Sequence, residues 1–173
     1  MDNSFDLYME KAQTGDVKAQ FKVARFYDKG EGVEMDKMKA VEWYEKAAKQ
    51  GHVKAQYNLG NSYYKGEGVA VNFEKAFELY SQAALSGHAK AQFKLGVCYD
   101  HGKGVEENNF KAVEWYEKAA KQGHIKAQYN LGNSYHKGEG AMKDDVTARI
   151  WYEEAAKQGH EKAQMKLCKY FGV

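Results

Sequence analysis

The chain has 173 residues, with 26 Lys and Arg against 24 Asp and Glu and a formal net charge of +2. That length supports one domain with a core able to fold unaided. The near-balance of charge sets aside a nucleic-acid binder acting through bulk charge, leaving only a local basic stripe to consider.

Met1 to Gly15 is polar and carries acidic residues, without a basic region followed by an apolar stretch, so it does not read as a signal peptide. No run of apolar residues approaches the length that spans a bilayer. Within this segment Phe5 to Thr14 reads as a single helix, with Leu7 and Tyr8 falling where Trp43 and Tyr44 fall later. From there a strict period begins. Ala-Gln recurs at Ala19, Ala55, Ala91, Ala127 and Ala163, 36 residues apart each time. Gly30, Gly66, Gly102 and Gly138 keep the same interval, as do Tyr44, Tyr80, Tyr116 and Tyr152. The expected organisation is one repeat domain over 1–173. A half repeat (1–18) precedes full repeats at 19–54, 55–90, 91–126 and 127–162, and a half repeat (163–173) follows.

Each repeat reads as two helices. Ala55 to Lys65 sets Leu59 and Tyr63 on one stripe at helical spacing, and Lys75 to Ala84 sets Ala76, Tyr80 and Ala83 on another. Gly66-Glu67-Gly68-Val69 lies between them, where glycine permits the positive φ that ends a helix. The second helices stop at Gly51, Gly87, Gly123 and Gly159. Gly60, Gly96 and Gly132 are expected to let helix backbones approach closely, with Trp43, Trp115, Trp151 and the tyrosines filling the remaining space. Ala163 to Phe171 reads as a first helix alone. A longer echo lies over the period: Lys39 to Gly68 matches Lys111 to Gly140 except at Val53/Ile125 and Tyr64/His136. Duplicated surfaces repeat the same residues side by side, which argues against one active site built from converging, different residues.

Cys98 and Cys168 fall two repeats apart, on the order of 20 Å at ordinary helix spacing, beyond disulfide reach. Two unpaired thiols fit a reducing compartment, so the expected location is cytoplasmic, with signal-independent export left open.

Ala55-Gln-Tyr-Asn-Leu-Gly-Asn-Ser-Tyr-Tyr-Lys-Gly-Glu-Gly-Val69, followed by Lys75-Ala76, Tyr80 and Ala83-Ala84, resembles the Sel1-like repeat, a relative of the tetratricopeptide repeat. The signature recurs at every period, with departures at Leu79 (tryptophan in other repeats), Gly140-Ala141 and Cys168. The resemblance implies an all-α, right-handed solenoid of helix-turn-helix repeats, about ten helices long. It also implies an adaptor or scaffold role in protein complexes.

In a curved stack of helix pairs the first helices line the concave side. The face opposite Leu59 and Tyr63 carries Tyr57, Asn58 and Asn61. The equivalents are Phe21, Lys22 and Arg25, then Phe93 and Lys94, then Tyr129, Asn130 and Asn133, and finally Met165, Lys166 and Lys169. Together they predict an exposed ribbon with an aromatic or methionine edge beside alternating lysine and asparagine. Lysine and arginine attract carboxylates, and asparagine can donate to and accept from an extended peptide backbone. The pattern is similar to the lysine-asparagine clamps with which related tetratricopeptide domains hold acidic peptide tails, although no helix pair here carries a whole clamp. The expected partner is a protein or extended peptide, acidic in character. Neither nucleic acid nor membrane is expected, and the chain is expected to be a monomer or to self-associate weakly.

Ser62-Tyr-Tyr-Lys65 and Ser134-Tyr-His-Lys137 match the Ser-x-x-Lys nucleophile motif, but the companion Ser-Asp-Asn and Lys-Thr-Gly elements are missing. Gly66-Glu-Gly68 lacks the Gly-Lys-Ser/Thr ending of a phosphate loop and follows a helix. His52, His88, His124 and His160 recur once per repeat, too far apart to share a metal, and read as turn residues. The reading is therefore a non-enzymatic scaffold with no cofactor and no metal. A helical-repeat RNA binder is the first alternative, and a Ser-x-x-Lys hydrolase or a purely structural stacking role comes behind it.

Overall fold

The computed structural model describes residues 4–173. Among them are ten helices and no strand: α1 (Ser4–Gln13), α2 (Val17–Lys29), α3 (Lys37–Lys49), α4 (Val53–Lys65), α5 (Phe73–Leu85), α6 (Ala89–His101), α7 (Asn109–Lys121), α8 (Ile125–Lys137), α9 (Asp145–Lys157) and α10 (Glu161–Phe171). They gather into two compact units. One carries α1 to α5 and ends at Ser86; the other begins at Gly87 and carries α6 to α10. In the first unit α2 pairs with α3 and α4 with α5, while α1 packs on α2 and α3 on α4. In the second, α6 pairs with α7 and α8 with α9, while α7 packs on α8 and α9 on α10.

The helix starts follow from two kinds of cap. The second helix of each pair begins after an Asp or Asn (Asp36, Asn72, Asn108, Asp144) whose side chain accepts from a backbone N–H in the first turn. The first helix of the first pair uses Asp16, which accepts from the Ala19 N–H at 2.7 Å. At the same position before α4, α6, α8 and α10 stand His52, His88, His124 and His160. Each ring Nδ1 accepts from the N–H of the alanine three residues on, at 3.2–3.3 Å. These histidines are helix caps, a more specific role than turn residues.

First helices end at a left-handed glycine. Gly66, at φ 75°, is one, and its N–H donates to the Ser62 carbonyl at 2.8 Å. The core of each pair is built on a tyrosine of the second helix: Tyr44, Tyr80, Tyr116 and Tyr152 are all at most 1% exposed. Gly60, Gly96 and Gly132 face these rings. A Cβ at Gly60 would stand 2.8 Å from the Tyr80 ring, at Gly96 2.6 Å from that of Tyr116, and at Gly132 2.7 Å from that of Tyr152. The glycines therefore admit a tyrosine ring, rather than chiefly the neighbouring backbone as their spacing suggested.

Buried glutamines tie first helices to their neighbours. Gln20 Nε2 donates to the Ala12 carbonyl of α1, Gln56 Nε2 to Ala48 of α3, and Gln128 Nε2 to Ala120 of α7, at 3.3–3.4 Å. On the other side a glutamine at the end of the second helix donates back. Gln50 Nε2 reaches Gln20 Oε1 at 2.8 Å, Gln122 reaches Gln92 at 2.7 Å, and Gln158 reaches Gln128 at 2.8 Å. Paired in this way, a buried amide loses little by leaving water.

Candidate partner-binding face

The ribbon residues lie on the first helices, and each unit carries its own share. Phe21, Lys22 and Arg25 are on α2, with Tyr57, Asn58 and Asn61 on α4. Phe93 and Lys94 are on α6, Tyr129, Asn130 and Asn133 on α8, and Met165, Lys166 and Lys169 on α10. Lys22, Met165 and Lys169 are exposed; the remaining ribbon residues are half-buried, where the sequence pattern suggested a fully exposed face. Two contacts account for the difference at the aromatic residues and the asparagines.

The first is the aromatic edge. Phe21 stacks on the capping His52 with ring centroids 4.4 Å apart, Phe93 on His124 at 4.6 Å, and Tyr129 on His160 at 4.6 Å. The same rings lean on the core tyrosines: Phe21 on Tyr44, Tyr57 on Tyr80, Phe93 on Tyr116 and Tyr129 on Tyr152. One face of each stacked ring is thus spent inside the fold.

The second contact fixes the asparagines. Asn58 Nδ2 donates to the Tyr44 hydroxyl at 3.0 Å, and the Tyr80 hydroxyl donates to Asn61 Oδ1 at 2.8 Å. In the second unit the Tyr152 hydroxyl donates to Asn133 Oδ1 at 2.9 Å, and Asn130 bonds the Tyr116 hydroxyl. The Tyr44 and Tyr116 hydroxyls in turn donate to Asp28 and Asp100. Burial, and then the charge of Asp28 or Asp100, pushes Tyr44 and Tyr116 well above the ordinary phenol range, so both stay O–H donors at neutral pH. Hydroxyl donors and acceptors thereby orient the amides. Asn58 turns its Oδ1 away from Tyr44 as an acceptor, and Asn61, one turn on, keeps its Nδ2 as a donor.

The cations differ along the ribbon. Arg25 sits 4.0 Å from Glu31. Lys166 Nζ donates to the Tyr170 hydroxyl at 3.4 Å, and Lys169 lies over the same ring at 5.2 Å. Those contacts hold the Tyr170 phenol below its usual range, Lys166 acting first through its hydrogen bond. The Ser-x-x-Lys pairs are not assembled as a nucleophile and base. Lys65 pairs with Glu67 at 3.3 Å while Ser62 Oγ donates to the Asn58 carbonyl, and Lys137 pairs with Glu139 at 3.2 Å. Both cysteines are free; burial pushes the Cys98 thiol up to about 11, while Cys168 is exposed. Among the described residues no helix is long and apolar enough to cross a membrane.

Sequence reasoning missed the histidine caps because histidine is not a favoured capping residue. The available signal was the constant His-x-x-Ala spacing at each helix start. The caps make acid stability a test. Burial lowers the pKa of His52, His124 and His160 below the ordinary histidine value. As pH falls through about 6.5 the unfolded chain takes up these protons first. The stability they contribute is complete above that pH and is lost as pH falls through the lower, folded-state values. The melting temperature is therefore expected to fall between pH 7.5 and pH 5. It should fall less in His124→Asn, whose side-chain oxygen caps without titrating. An equal acid loss in the variant and the wild type would contradict this.

A Sel1 repeat family model matches residues 17–52, 53–88, 89–124 and 125–160. Among solved structures, a protective antigen present in uropathogenic Escherichia coli strains and displaying an SLR fold is 36% identical over 98% of this chain, with a TM-score of 0.92. A Sel1 repeat protein from Oxalobacter formigenes is 35% identical over 97% of the chain, with a TM-score of 0.87. An immunity protein from Pseudomonas aeruginosa is 25% identical over 96% of the chain, with a TM-score of 0.57. The chain spans 37%, 68% and 60% of those three proteins respectively. No curated protein matches it. Sel1 repeats generally mediate protein–protein interactions, and the fold is typically a non-enzymatic scaffold. With four repeats matched in series and solved relatives sharing more than a third of its residues, the chain belongs to the Sel1 repeat family.

Proposed function

We propose that the chain is a scaffold or adaptor that holds an extended, acidic peptide or protein partner on the ribbon face that the first helices of each unit carry. The observation that carries this reading is the oriented asparagine pair. In Asn58 and Asn61 the buried tyrosines consume one half of each amide, leaving an acceptor and a donor a turn apart. An extended backbone offers the complementary N–H and C=O, and a prepositioned amide loses little freedom on binding. Beside the pairs, exposed Lys22 and Lys169 and half-buried Lys166 favour carboxylates, and Met165, 69% exposed, offers an adaptable apolar contact. The relative named as an immunity protein is in keeping with a protein partner.

Charge reversal tests it. Lys166→Glu with Lys169→Glu should leave helix content unchanged, since neither residue belongs to the buried core of α10. Recovery of the partner captured by wild type from cells of the source organism should fall at least tenfold. The wild-type complex should also weaken as salt rises. Undiminished capture by the charge-reversed protein would place the partner elsewhere on the molecule.

A further inference from the structure

The second repeat breaks the pattern of the others at two positions: one lines a cleft, and the other leaves a residue of that cleft's lining without a donor. A cavity of about 520 Å³ lies among α3, α4 and α5, lined by Glu45, Ala48, Gln56, Leu59, Tyr63 and Leu79 among others. Its size is that of a pocket for a small ligand or one large side chain.

The first break is Leu79. Trp43, one period earlier, packs on the core formed by Ala12, Ala19 and Val23. Trp151, two periods later, packs on the core of α7 and α8. The surface that a tryptophan at position 79 would cover is the corresponding one on α3 and α4, and there Ala48, Leu59 and Tyr63 line the open cavity instead.

The second break is Ser86. In the other full repeats this position is a glutamine whose Nε2 donates to the buried glutamine of the first helix, as Gln50, Gln122 and Gln158 do. The serine side chain is too short, and its hydroxyl donates to the Gln82 carbonyl. Gln56, only 7% exposed, is left with its Oε1 unpartnered among the described residues. An unmet buried acceptor costs free energy until a donor arrives. The two breaks are separate in sequence, and neither requires the other.

We infer that this cleft is a binding site for an indole, the tryptophan side chain of a protein partner. An indole supplies the ring that Leu79 does not, and its single N–H is a donor without a competing acceptor, toward which Gln56, a lining residue, can turn its buried Oε1. The rim carries two cations, Lys49 and Lys75, and two anions, Glu45 and Glu78. Its charge therefore balances, which suits a neutral ring better than a charged group. Lys75 already lies over the Tyr63 ring, 5.1 Å from its centre, and can turn to a second aromatic face. The inference rests on the protein-binding reading only for the source of the indole.

The probe is N-acetyl-L-tryptophanamide, titrated into the 15N-labelled whole chain. Wild type should show saturable shifts at the amides of Ala48, Gln56, Leu79 and Gln82. N-acetyl-L-phenylalaninamide, which has no ring N–H, should bind several-fold more weakly. Leu79→Trp with Ser86→Gln, which restores the pattern of the other repeats, should reduce binding at least tenfold. Ser86→Gln alone should raise the melting temperature and abolish the preference for indole over phenyl, so the test stands even if the double variant misfolds. The inference is overturned by absence of saturable shifts in wild type, by undiminished binding to the double variant, or by equal affinity for the two probes. Lys166→Glu with Lys169→Glu should leave the titration unchanged, so that this site and the ribbon can fail independently.

Discussion

Tyr116→Ala should destabilise the protein by about 3–5 kcal/mol, the usual cost of removing a buried aromatic ring. Tyr116→Phe should cost only about 0.5–1.5 kcal/mol, that of a hydrogen bond. The ring is 1% exposed and packed so tightly that a Cβ at Gly96 would stand 2.6 Å from it. Alanine would therefore leave a void beside a glycine that has no side chain to fill it. Phenylalanine keeps the ring and loses only the hydroxyl, leaving Asp100, which is half-buried, to be hydrated. Urea unfolding followed by circular dichroism would measure both. Similar losses for the two variants would mean that the hydroxyl network, and not ring burial, dominates at this position.

Gly68→Ala is expected to cost about 2–5 kcal/mol, from left-handed backbone strain of about 1–2 and overpacking of about 1–3 kcal/mol. Gly68 has φ 74°, and a Cβ there would collide with the backbone carbonyl of Lys37 at the start of α3. A backbone carbonyl inside a capped helix cannot swing aside as a side chain can. Gly51→Ala is the control. Its φ is 81°, but nothing lies within 4 Å of the added Cβ, so only the strain of about 1–2 kcal/mol applies. Equal shifts in the two urea midpoints would show that conformation alone, and not the close approach to α3, requires glycine at position 68.

The repeat architecture was legible because it is written in columns. Invariant Ala-Gln pairs, loop glycines and tyrosines mark helix faces and ends by spacing alone, and the structure shows ten helices among the described residues with the lone α1 and α10 flanking four pairs. The ribbon was less legible. Its residues were placed on the first helices by period, but a helical wheel cannot tell an exposed asparagine from one that satisfies a tyrosine on a neighbouring helix. Asn58 and Asn61 look equally polar in sequence, yet one donates to Tyr44 and the other accepts from Tyr80. Leu79 was visible as a departure from tryptophan, and its meaning was not. That depended on Ser86, seven residues on, failing to reach Gln56, which is a matter of side-chain length across a helix pair.

The stacked histidines set how events in one repeat are felt in the next. His124 caps α8, while its ring lies against Phe93 of α6, and His160 caps α10 while leaning on Tyr129 of α8. Each imidazole belongs to one helix by hydrogen bond and to the preceding first helix by contact, so protonation acts on the seam as well as on the helix it caps. In a linear array, intrinsic repeat stability sets where unfolding occurs, and coupling between neighbours sets how sharply. Acid would then erode cooperativity along with stability, converting one concerted melting of adjacent helix pairs into a broader, stepwise one.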